Sequence, residues 1–106
     1  MPDQIKASHI LISHEDASGT GSRLSRDDAE KRIGEIKGQL ADGADFAELA
    51  REFSDCPSSQ AGGDLGFFSR GDMVPEFDKA AFDLKVDETS DAVETDFGFH
   101  LIHRTA

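Results

Sequence analysis

Phe53-Ser54-Asp55-Cys56-Pro57 and, after a short polar gap, Gly62-Gly63-Asp64-Leu65-Gly66-Phe67-Phe68-Ser69-Arg70-Gly71-Asp72-Met73-Val74-Pro75-Glu76-Phe77 decide how this chain reads. The first segment closes a helix. Phe46, Leu49, Ala50 and Phe53 recur at helical spacing behind Asp45, an N-cap with Glu48 three residues on. Asp55-Cys56-Pro57 ends that helix, because a residue before proline is pushed out of the α region. Residues 58–63 read as a loop with room for one helical turn, and 65–69 as a short strand beginning at a glycine. Pro75 suits the first turn of a further helix, with Phe77, Ala81 and Leu84 inward. The stretch thus holds the sole cysteine, beside an acid, and a glycine-punctuated run that presents Leu65, Met73 and Phe77. That run lacks the lysine of a P-loop and the helix start of a dinucleotide fingerprint, so its glycines read as backbone for close turns.

Upstream, residues 5–12 carry apolar and β-branched side chains on both parities, the mark of a strand covered on both faces. Residues 14–22 are a polar loop. Ser25 is an N-cap with Asp28 three residues on, and Ala29, Ile33, Ile36 and Leu40 make an apolar stripe that Gly43 ends. Downstream, 85–88 turn the chain into two closing strands, about 89–95 and 98–103, with Asp96-Phe97 between them. The order is strand, two or three helices, strand, helix, strand, strand. Both terminal strands are apolar on both parities, so both should lie centrally in one sheet.

A chain of 106 residues is one domain in size. Eleven basic against 22 acidic residues give a net charge of −11, and both halves are acidic. No basic face is evident to neutralise a phosphate backbone, so nucleic-acid binding is not expected. One cysteine forms no internal disulfide and no paired-cysteine metal site. No apolar run approaches membrane-spanning length and no signal peptide is evident, so a cytoplasmic protein, expected to be a monomer, is the default. A domain excised from a longer exported chain would look the same. His14 and His103 have no partner at convincing metal-ligand spacing.

The two quoted segments, together with Ser8-His9-Ile10-Leu11-Ile12 and Gly98-Phe99-His100-Leu101-Ile102, resemble the parvulin family of peptidyl-prolyl cis/trans isomerases. The resemblance runs from about Lys6 to Arg104. It implies an α+β fold over residues 4–106: a four-stranded, mostly antiparallel sheet surrounded by three to four helices in the order β-α-α-(α)-β-α-β-β. It also implies an enzyme without cofactor. The imide bond must twist through a geometry where resonance is lost, against a barrier of ~20 kcal/mol. Such a site needs an apolar grip on the proline ring and preorganised polar groups around the twisted amide.

By this resemblance Leu65, Met73 and Phe77 form the proline pocket; read from spacing alone, Leu65 and Phe77 are ordinary core residues. Met73 and Phe77 changed to alanine should then cost activity with modest loss of stability. Cys56 faces the rotating carbonyl, a position where some members carry aspartate. Asp55 beside it disfavours a thiolate, so Cys56 reads as a polarisable group and not a covalent nucleophile; the bland alternative is a small buried hydrophobe. His9 and His100 sit among apolar neighbours, where an imidazole is costly unless it has partners, and two central histidines facing one way can bond each other. In the family that pair lies under the active site; a purely structural pair competes with that reading. Thr95 matches a hydroxyl position of the same network, and Phe97, where relatives often carry a small polar residue, widens the apolar rim.

Phosphate-specific parvulins place a lysine after the first strand and paired arginines in the following loop. Here Ser13-His14-Glu15-Asp16 stand in those positions and the later basic residues are Arg23 and Arg26. Glu15 and Asp16 would repel a phosphoserine, so unphosphorylated X-Pro segments of client proteins are the expected substrates, in protein folding. Two alternatives are a non-catalytic holdase that keeps the groove, and a cysteine hydrolase pairing Cys56 with a histidine and Asp55. The second requires an activated thiolate and an oxyanion hole that nothing in the sequence indicates.

Overall fold

The computed structural model describes residues 4–15, 24–55 and 60–106. Its elements are β1 (Gln4–Ile12), α1 (Arg26–Ala41), α2 (Phe46–Phe53), β2 (Asp64–Ser69), α3 (Pro75–Phe82), β3 (Val93–Thr95) and β4 (Gly98–Arg104). The strands form one sheet in the order β2-β1-β4-β3, with every neighbouring pair antiparallel. The two chain-end strands are therefore the central ones, and both faces of the sheet are covered, which is why neither strand alternates cleanly.

One face packs Ile10, Ile12, Phe99 and Leu101 against Ala29, Ile33 and Ile36 of α1 and Leu49 and Ala50 of α2. The other packs Ile5, Ala7, Phe68 and Ile102 against Phe77 and Ala81 of α3 and against Leu84 just beyond it. Ile10, Ile12, Ile33, Ile36, Leu101 and Ile102 are fully buried, each worth about 1.5–3 kcal/mol over exposure.

The helices start and stop where their caps allow. The Ser25 hydroxyl accepts the Asp28 N–H at 3.0 Å, and the Asp45 carboxylate accepts the Glu48 N–H at 3.1 Å. Ser54 turns extended and ends α2, while Pro75 opens α3 without a side-chain cap. Gln60 and Ala61 lie in a 3₁₀ turn, a single turn within 58–63. Most of the polar loop expected over 14–22 falls outside the described residues.

The strand expected over 89–95 is shorter. Only Val93–Thr95 pairs regularly, and Thr89 makes a single bridge to His103. Between these points the outer chain spans one residue more than β4 does, Thr89 to Val93 against His103 to His100. Ser90 is the cause: its hydroxyl accepts the Ile102 N–H at 3.0 Å in place of a backbone carbonyl, so the ladder bulges. A second irregularity serves the site. Between Lys6↔Phe67 and Ser8↔Asp64 the register shifts at Gly66, which holds φ 71°. The bulge lets Leu65 and Phe68, three residues apart, pack on the same α3 face.

Candidate active site

His9 and His100 meet on the α3 face of the central strand pair. His9 is in register with Ile102 and Leu11 with His100, so the histidines are diagonal neighbours. Their Nδ1 atoms are 3.1 Å apart and both side chains are buried. The ring centroids lie 5.2 Å apart with planes 18° apart. That separation is the hydrogen bond plus two ring radii, so the imidazoles meet edge to edge in one plane.

Thr95 continues the chain, its Oγ1 2.7 Å from His100 Nε2 and accepting the Phe97 N–H at 3.2 Å. Burial pushes the His9 imidazole down to about 4. Burial, and then the charge His9 would carry, push His100 to about 3. Both rings are neutral at pH 7. Two neutral rings share an Nδ1···Nδ1 bond only if one carries its proton on Nδ1 and the other on Nε2. With the proton on His100 Nδ1, the Thr95 hydroxyl donates to the bare His100 Nε2, and only His9 Nε2–H lacks a partner. The reverse leaves both His9 Nε2 and the Thr95 hydroxyl proton unbonded. The first arrangement strands one buried group and the second two, so the first is assigned.

Phe77 joins the apolar side of the site to this polar chain. Its ring stands 5.5 Å from His9 and 5.4 Å from His100, nearly perpendicular to both. Leu65 and Met73 are half-buried and pack against the cluster to which Phe77 belongs. Phe97, on the β3–β4 turn, is 45% exposed.

Ser54 and Asp55 occupy the edge of β1 that β2 leaves open. β2 pairs with β1 only as far as Ser8; the His9 N–H then donates to Gly63 O at 2.9 Å. A Cβ on Gly63 would fall 2.3 Å from the His9 carbonyl oxygen, so only glycine permits this approach. Beyond it, the Leu11 N–H donates to Ser54 Oγ at 3.0 Å and the Asp55 N–H to Leu11 O at 2.7 Å. Asp55 Oδ2 accepts both the Ser13 N–H and the Ser13 hydroxyl, each at 2.9 Å. Its carboxylate is thus engaged with the end of β1. Cys56 lies outside the described residues.

Sequence reasoning had no signal for Ser13 as a partner of Asp55, nor for the fate of Arg26. The Arg26 guanidinium grips Glu94 through two bonds of 2.7 and 2.8 Å and lies over the Phe99 ring at 5.4 Å. Arg23 is outside the described residues. His103 bonds the Thr89 hydroxyl at 2.9 Å and packs on Phe46, and His14 packs on Phe99. Among the described residues no group of three or more His, Cys, Asp or Glu side chains is placed to hold a metal ion.

An antiparallel sheet thus lies between two helical layers, with a buried histidine pair beneath an aromatic ring. Residues 9–106 match the rotamase model, the PPIC-type PPIase domain. The chain is 42% identical to the peptidyl-prolyl cis-trans isomerase Pin1 of Arabidopsis thaliana over 98% of this chain and 97% of that one. It is 44% identical to the foldase protein PrsA of Halalkalibacterium halodurans over 93% of this chain, yet spans only 26% of that protein's length. Among solved structures, the peptidyl-prolyl isomerase ESS1 from Candida albicans superposes with a TM-score of 0.90 at 37% identity, covering 97% of this chain and 63% of that one. The chain belongs to the PPIC-type peptidyl-prolyl cis/trans isomerases, with the parvulin fold. No helix among the described residues is long and apolar enough to cross a membrane.

Proposed function

We propose that residues 4–106 act as one catalytic unit, a cytoplasmic monomer that speeds rotation about X-Pro bonds in unphosphorylated segments of client proteins. The proline ring seats against Leu65, Met73 and Phe77. The twisting imide faces Cys56 and the His9–His100–Thr95 chain, while Asp55 holds the segment leading into Cys56. The observation that carries this reading is the position of Phe77, within 5.5 Å of both imidazoles. A ring gripped there lies beside dipoles already fixed and dry, so the twisted state is met without reorganisation. In the assigned arrangement the lone pairs of both imidazoles are taken up by their bond to each other and by Thr95, which argues against either as the base of a cysteine hydrolase. Arg26 is occupied by Glu94, which supports a preference for unphosphorylated segments. The single unpaired cysteine suits the cytoplasm.

Two-dimensional exchange NMR on short X-Pro peptides, with a phosphoserine version included, tests this. Faster cis–trans exchange for the plain peptides is expected. Resonance shifts on titration without faster exchange would instead identify a groove that binds and does not catalyse. Preference for phosphoserine would overturn the substrate assignment.

A further inference from the structure

Where α1 ends and α2 begins, the described residues line a hollow of about 450 Å³. It lies across the sheet from the histidine pair, because His103 is an odd number of steps from His100 along β4 and faces the α1 and α2 side. Phe46 and His103 line it as a ring pair, their centroids 5.4 Å and their planes 32° apart. The Thr89 hydroxyl, 2.9 Å from His103 Nδ1, holds the imidazole in place. Leu40 adds an apolar wall.

The charge around this hollow has one sign. Asp45 and Asp87 line it from two separate turns, both exposed, and neither pairs with a cation among the described residues. The Asp45 carboxylate accepts the Glu48 N–H. Asp87 is held at φ 70°, its N–H donating to Arg104 O at 2.7 Å. α1 also ends here with no lysine or arginine in its last turn, so the negative end of its dipole is uncompensated. Lys37, one turn back, is engaged by Asp91. No lining residue is a lysine or arginine.

We propose that this hollow is a docking site for a basic peptide, and that it takes one arginine side chain. A guanidinium is planar, stacks on aromatic rings and presents a fork of donors to carboxylates, while its stem packs along apolar surface. Phe46 with His103, Asp45 with Asp87, and Leu40 supply those three contacts. The net charge of −11 draws basic segments toward the surface. A segment docked here leaves the opposite face of the sheet open, and the inference does not rest on the isomerase reading.

The test is NMR titration of the protein with acetyl-Gly-Arg-Gly-amide, which contains no proline, and with its lysine and citrulline counterparts. Amide shifts should cluster at Ala44, Phe46, Thr89 and His103. Citrulline, the neutral isostere, should bind about five- to ten-fold more weakly, the scale of two partly exposed charge pairs. Asp45→Asn with Asp87→Asn should weaken the arginine peptide to the same degree, since asparagine keeps the N-cap and tolerates positive φ. Glu35→Gln with Glu52→Gln changes the net charge equally and should alter affinity less than about two-fold. Equal binding of citrulline, shifts spread over the whole acidic surface, or an equal loss in the glutamine pair overturns the proposal. A lysine peptide that binds as tightly as the arginine one overturns the choice of arginine. If the asparagine pair fails to fold, the citrulline comparison and the map of shifts decide.

Discussion

His9 and His100, 91 residues apart in the chain, share a hydrogen bond of 3.1 Å inside the sheet. Protonating either ring breaks the donor–acceptor alternation that runs through Thr95 and places a charge where burial disfavours it. In the unfolded chain both rings titrate near 6.5, and in the fold near 4 and 3. Between these values the unfolded chain binds more protons, so stability rises with pH. It is complete above 6.5 and falls away as pH drops toward 4 and then 3. Urea unfolding at pH 7 and pH 5 should differ by about 2–4 kcal/mol, and His100→Asn should roughly halve the difference. A flat profile in the unsubstituted protein would show that the pair is not held dry. Between pH 6 and 8 neither ring titrates, so kcat/KM should be level there.

Thr95→Val keeps the shape of the side chain and removes the hydroxyl that bridges His100 Nε2 and Phe97 N–H. It should cost about 1–2 kcal/mol and lower catalytic efficiency, while Thr95→Ser retains most of both. Denaturant unfolding alongside exchange NMR decides this. If Val and Ser behave alike, the hydroxyl carries no part of the network.

Asp55→Ala removes the carboxylate that accepts the Ser13 N–H and hydroxyl. The loss should be about 1.5–3 kcal/mol, as for hydrogen bonds to a charged group. Because Asp55 immediately precedes Cys56, releasing it should also raise the alkylation rate of that thiol. Unchanged stability and unchanged thiol reactivity would show that this tie does not hold the segment.

Phe77 is buried at the centre of its cluster, against Phe68 and both histidines. The modest loss of stability expected for Phe77→Ala is therefore revised to about 3–5 kcal/mol, the usual cost of emptying a buried aromatic site. Met73 is half-buried and gives the cleaner test of the pocket. Met73→Ala should lower catalytic efficiency about ten-fold, the scale of one hydrophobic contact with substrate, with little change in the melting temperature. Full activity in Met73→Ala would remove it from the pocket.

Much of this architecture is legible in the sequence because its causes are local. Apolar residues on both parities mark β1 and β4 as central strands, Ser25 and Asp45 cap their helices, and Pro75 opens α3. The features that escaped depend on partners far away in the chain. Ser13 and Asp55 are 42 residues apart, and Arg26 and Glu94 are 68 apart. Neither pairing leaves a periodic trace. Ser90 reads as an ordinary strand residue until its hydroxyl is seen replacing a carbonyl, and Gly66 until its bulge turns Leu65 onto the α3 face. His9 and His100 stood out because imidazoles amid apolar strands require partners. Their mutual bond was within reach of that argument too; which ring holds the shared proton emerges only from their geometry.

Pairing the first strand with the last has a further consequence during synthesis. A nascent chain still missing β4 can pair β1 with β2 alone and has no second imidazole for His9. The central ladder and the site beneath it form in one late step. The protein therefore has no active site with which to hasten isomerisation of its own X-Pro bonds before that step, and its ladder carries the loop-closure cost of joining distant segments.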